Sequence, residues 1–164
     1  MFTPSIRYAS EVLLDFFGLY LLARLMADDV VAFLADFVKK AQELLTDAND
    51  AERKAYRGRQ IAQARFDHTD FRLDRVVREF ELALLAAVNK DRSLDEYKRF
   101  FPKGLTAVVA APIREELAAV RRIESLLADA TYVKGAAEWI ASLAERRVAT
   151  EAALADKEAA EEAH

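Results

Sequence analysis

The sequence predicts an all-α protein: an antiparallel up-down-up-down four-helix bundle with long helices and a short extra helix at about 93–101, between helices two and three. Three observations predict it. Four Gly and three Pro in 164 residues are too few turn residues for a chain of strands. Hydrophobic residues make up 53% and charged residues 32%, enough of each to give every helix one buried and one solvated face. Through most of the chain the apolar positions recur at alternating steps of three and four, the helical period. The length suits a single domain over 1–164 with a core that needs no disulfides.

The first predicted helix covers 5–46. It opens on residues 12–27, VLLDFFGLYLLARLMA, an apolar run interrupted only by Asp15, Gly18 and Arg24. The run is shorter than the about 20 apolar residues a bilayer requires, so no membrane span is expected. Acidic Glu11 and Asp15 and the lack of a small-x-small cleavage site speak against a signal peptide, and the chain reads as cytoplasmic. Val12, Phe16, Leu19, Ala23, Met26, Val30, Leu34, Phe37, Ala41 and Leu44 form one stripe. Its phase survives across 27–29, which favours one continuous helix; the alternative is a second helix N-capped by Asp28 or Asp29.

Residues 46–50, TDAND, are the first expected turn, because their side chains compete for backbone hydrogen bonds. The second helix is then expected over 51–88, with Leu73, Val77, Phe80, Leu84 and Ala87 in its core stripe. Followed backwards, the same stripe meets Asp70, Phe66, Gln63, Arg59 and Tyr56. Arg59, Gln63 and Asp70 therefore form a candidate buried polar network, which must be internally paired if it is buried. Ser93 and Glu96 have capping-box spacing and open the short helix. Pro102 and Gly104 break the chain before a third helix over 105–129, where Pro112 demands a kink or a restart near Ala111. Thr131 is placed to cap a fourth helix with stripe Val133, Ala136, Ile140, Leu143, Val148 and Leu154. Residues 155–164 are an acidic Ala/Glu tail expected to fray.

A second apolar stripe on the first helix, Leu14, Phe17, Leu21 and Leu25, is rotated away from the core stripe. Four such side chains left in water forgo roughly 6–12 kcal/mol of burial. In the expected bundle the connector lies beside this stripe, so the cover is either the chain's own Tyr97, Phe100 and Phe101 or another molecule. These seven residues are the candidate interface. The expected partner is the protein itself, a dimer being favoured, or another protein.

A net charge of −4 and a pI near 5.3 argue against a role built on holding nucleic acid, which needs a positive field. The basic stretch 52–65, ERKAYRGRQIAQAR, reads as a solvated helix face that an antiparallel dimer would set against the acidic 151–162. No cysteine is available for thiolate metal sites or nucleophilic catalysis. His68 is the one internal histidine, so the paired E-x-x-H motifs of a di-iron bundle cannot be built, and neither a metal nor a cofactor is expected. Glycines at 18, 58, 104 and 135 form no phosphate-cradling loop or nucleophile elbow.

The stretch 68–73, HTDFRL, resembles the H-box of histidine kinases, although Thr69 separates His68 from the acid and no proline follows. That resemblance implies one alternative, a histidine phosphotransfer module using His68. A second alternative is an amphipathic helical protein that binds lipid surfaces. The leading expectation is a non-catalytic homo-oligomeric adaptor, scaffold or regulator.

Overall fold

The computed structural model describes residues 17–28 and 32–162, and every element among them is helical. In chain order these are α1 (Leu19–Met26), a 3-10 turn at Ala32–Leu34, α2 (Ala35–Ala87), α3 (Asp95–Phe100), α4 (Thr106–Val109), α5 (Ile113–Leu127) and α6 (Ala136–Glu162). The chain divides into two compact units, Met1–Gly58 and Arg59–His164.

The boundary between the first two predicted helices moves upstream. α1 ends at Met26, where the Ala27 N–H turns back to the carbonyls of Ala23 and Arg24 at 3.2 and 3.3 Å. Arg24 in the last turn suits the negative end of the helix dipole; a carboxylate such as Asp28 does not. The helix predicted over 5–46 is thus not one continuous helix. The turn expected at 46–50 is absent as well, because α2 runs straight through it. These residues include neither Gly nor Pro, and the Thr46 hydroxyl donates to the Gln42 carbonyl at 2.9 Å, spending its hydrogen bond inside the helix. Non-ideal residues there cost only about 0.5 kcal/mol each, too little to break a helix that good formers flank.

Within Arg59–His164 the core is built from four directions. α2 contributes Leu73, Val76, Val77, Phe80 and Leu84; α5 contributes Leu117, Val120, Ile123 and Leu127; α6 contributes Leu143. The fourth contribution is the connector, whose Tyr97, Phe100, Phe101 and Val108 are all buried. Phe80 is the hub, with ring centroids 5.5 Å from Phe100, 6.0 Å from Phe101 and 5.9 Å from Trp139.

Partner pairs fix the directions. Arg147 with Glu124, Arg121 with Glu151 and Arg114 with Glu158 set α5 antiparallel to α6. The Phe80–Trp139 and Phe66–Lys157 contacts set α2 antiparallel to α6. α2 and α5 therefore run parallel, whereas the sequence predicted antiparallel neighbours. The reason is the connector: α3 and α4 pack along the bundle and make the return journey themselves. With the 46–50 turn absent and this return made by short helices, four long antiparallel helices are not what the described elements form.

Local chemistry sets the ends. After α2, Asn89 and Lys90 adopt positive φ (51° and 64°), and the Lys90 N–H reaches the Leu85 carbonyl at 2.7 Å, a Schellman closure. Ser93 does not cap α3, since its N–H and hydroxyl both donate to Asp91 Oδ1, at 2.8 and 2.6 Å. The Asp91 carboxylate, held below its usual range first by the Ser93 hydroxyl and then by the Ser93 N–H, outcompetes the helix end. Pro112 produces the restart, standing as the N-cap of α5. α6 begins at Ala136, after Gly135 at φ 72°, so Thr131 is not its cap. Val148, expected in the core, is 55% exposed. α6 extends to Glu162, and its last turns are tied down by Arg114 to Glu158 at 2.6 Å and by Lys157 over the Phe66 ring.

Candidate functional site

In the first unit the described residues are conspicuous for what they leave uncovered. No residue of α1 is buried, nor is any residue of α2 before Ala62. Phe17 is 64% exposed, Met26 68%, Phe33 74%, Phe37 73% and Leu44 71%. Phe33, Phe37 and Leu44 follow steps of four and seven, which puts them on one helical face; Leu34 and Leu45 widen it. Of the predicted stripe, Phe17 and Leu21 are exposed, Leu25 is half-buried and Leu14 lies outside the described residues.

Tyr97, Phe100 and Phe101 have a different place. Each is at most 3% exposed and belongs to the core around Phe80, so none is a surface residue. Their apolar character, read as stickiness toward helix one, is consumed by the core of their own unit.

The predicted Arg59, Gln63, Asp70 network does not assemble: no hydrogen bond joins the three among the described residues. Gln63 Nε2 donates instead to Asp67 Oδ1 at 2.6 Å. Asp70 is half-buried and looks toward a different group, Glu116 of α5. Glu116 is 3% exposed and lies beside Asp74, Asp70 and Arg78. Burial first, then the charges of Asp74 and Asp70, push its carboxyl up to about 8, and Arg78 offsets part of this. Burial likewise raises Asp70, reinforced by Asp74 and Asp67. One oxygen each of Glu116 and Asp74 is buried with no donor, consistent with a proton held between the two carboxyls.

Glu81 is a second buried acid, 4% exposed. Its Oε1 accepts from the Tyr97 hydroxyl at 2.8 Å and from Arg92 at 3.0 Å, fastening the connector to α2. Burial, together with the Glu81 carboxylate that already takes its proton as a hydrogen bond, pushes the Tyr97 phenol up to about 12. Neither acid stood out in the sequence, although a signal existed. Glu116 falls three after Ile113 and four before Val120, and Glu81 falls four after Val77, so both have the phase of core positions.

The α5–α6 seam is closed by ion pairs. Arg147 grips Glu124 with two parallel bonds of 2.8 and 3.1 Å and also reaches Glu151 at 3.0 Å, with the Arg147 side chain 15% exposed. The Glu124 hydrogen bond raises the Arg147 pKa. Burial would raise Glu151, but hydrogen bonds from Arg147 and Arg121 outweigh it and hold that carboxyl below its ordinary value.

On the opposite side of α6 is a groove of about 600 Å³ that includes His68, Arg72, Arg75 and Arg146. His68 is exposed there. Among the described residues no group of three or more His, Asp or Glu is placed to hold a metal ion, and no helix is long and apolar enough to cross a membrane. Comparison with protein-family models, with curated proteins and with solved structures finds no match to this chain.

Proposed function

We propose that the protein acts without catalysis, through protein–protein contacts made by its first unit, and that its first partner is a second copy of the same chain. The observation that carries this is the uncovered apolar face of Phe33, Phe37 and Leu44 together with Phe17 and Met26, in a unit whose described residues include none that is buried. At about 1.5–3 kcal/mol per large side chain, covering these five recovers roughly 7–15 kcal/mol, comparable to a domain's net stability.

A second copy is the simplest occupant, because a twofold arrangement sets this face against itself and covers it in both chains at once. Such an assembly suits an adaptor, scaffold or regulator.

Size-exclusion chromatography with light scattering tests the reading. The expected result is a dimer that dissociates on dilution, and a Phe37→Lys, Leu44→Lys variant that is monomeric with undiminished helix content. A wild-type monomer at tens of micromolar, unchanged by dilution, overturns it. So does a monomer that floats with liposomes, which would assign the same face to a lipid surface.

A further inference from the structure

Each arginine that bridges α5 and α6 meets a carboxylate on the other helix: Arg147 has Glu124, Arg121 has Glu151 and Arg114 has Glu158. Where α6 faces the 59–87 part of α2, that pattern stops. The register set by Phe66 with Lys157 and by Phe80 with Trp139 brings Arg75 and Arg146 opposite each other, two like charges across the groove of about 600 Å³. His68, Arg72, Arg75 and Glu79 follow at steps of four, three and four, so all four share one face of α2 and line this groove.

Its internal charges do not balance. Glu79, the acid of the lining, is already held by Arg75 at 2.8 Å. Arg146 reaches only its chain neighbour Glu145, at 3.4 Å, and Arg72 has no carboxylate partner among the described residues. With three guanidinium groups against one carboxylate, the lining carries a charge of about +2 before the His68 imidazole is counted, in a protein whose net charge is −4. Phe71 borders the same groove and is 67% exposed.

We propose that this groove binds a phosphomonoester, whose phosphate dianion sits among Arg72, Arg146 and His68 and whose apolar part lies along Phe71. Guanidinium forks match the oxygen pairs of carboxylate and phosphate alike. Two forks and an imidazole lining one groove from two helices call for more than the two oxygens of a carboxylate, and a surplus of about +2 matches a dianion. The volume falls within the roughly 300–1,000 Å³ typical of small-molecule sites, leaving room for an organic substituent beyond the phosphate. The site lies wholly in Arg59–His164, so it stands or falls independently of self-association through the first unit.

The test is an amide NMR titration with inorganic phosphate and, separately, with phenyl phosphate. Phenyl phosphate is expected to shift resonances around His68, Arg72 and Arg146 saturably, with Kd of about 1 mM or tighter, and inorganic phosphate to bind severalfold more weakly. The double variant Arg72→Ala, Arg146→Ala is expected to lose roughly tenfold or more in affinity at an unchanged thermal midpoint, and Arg121→Ala on the α5–α6 seam to bind as the wild type does. The proposal is overturned by the absence of saturable shifts with either anion, by equal affinity for both, or by undiminished binding in the double variant.

Discussion

Replacing Glu116 by Gln removes a carboxyl whose charge the fold solvates poorly. Glu116 stands in the first turn of α5, 3% exposed, against Asp70, Asp74 and Arg78. Gln keeps the shape and donates an N–H toward Asp74, as the protonated acid does with its O–H. In the wild type the folded-state pKa is about 8 against an ordinary 4.5, so between those values the folded chain binds more protons than the unfolded one. Stability from this group is therefore highest at and below about pH 4.5, falls as the pH rises toward 8, and levels off above. The interval from 4.5 to about 8, at about 1.36 kcal/mol per pH unit, amounts to ~5 kcal/mol if Glu116 bore the whole cost unscreened. Half-exposed Asp70 admits water to the cluster and Arg78 answers part of the charge, which leaves ~2 kcal/mol. Urea unfolding followed by circular dichroism should thus find Glu116→Gln within ~0.5 kcal/mol of wild type near pH 5 and ~2 kcal/mol more stable near pH 9. Using the difference between the two proteins cancels the opposite trend from carboxylates such as Glu151, whose pKa is lowered. A gap that does not change with pH, or a variant less stable at the alkaline end, refutes the reasoning.

Two further substitutions probe the scaffold. Gly58 sits in the interior of α2 with nothing within 4 Å of where a Cβ would stand, so Gly58→Ala should stabilise the helix by about 0.5–1 kcal/mol, read as a higher thermal midpoint. Tyr97→Phe removes the hydroxyl that donates to buried Glu81 at 2.8 Å; with Arg92 left as the remaining partner at 3.0 Å, a loss of about 1–2 kcal/mol is expected in the same urea assay.

The core stripes of the second and third predicted helices were legible because they depend on period alone, whereas Leu19, Met26, Phe37 and Leu44 of the first have the same period and are exposed. Leu73, Val77, Phe80 and Leu84, and likewise Leu117, Val120, Ile123 and Leu127, are buried as their spacing requires. Element boundaries were less legible where several weak preferences compete. Thr46 spends its hydroxyl inside the helix and Ser93 spends its own on Asp91, two outcomes that the same side-chain chemistry permits in either direction. Which apolar residues stay exposed was legible in part. Exposed Phe17 and Leu21 kept the character expected of them, while Tyr97, Phe100 and Phe101 proved to be core. An aromatic residue in a connector reads the same whether it plugs its own bundle or covers a neighbouring helix.

By itself the sequence determined the helical class, the faces that carry apolar side chains and the surplus of such side chains near the N-terminus, because each follows from residue type and the 3.6-residue period. Tertiary structure alone decided that the connector makes the return path between parallel α2 and α5. It alone set Glu116 beside Asp70 and Asp74, and it brought Arg146 across to Arg75. Those outcomes depend on which helix faces meet, and contact between residues far apart in the chain leaves no mark in local spacing.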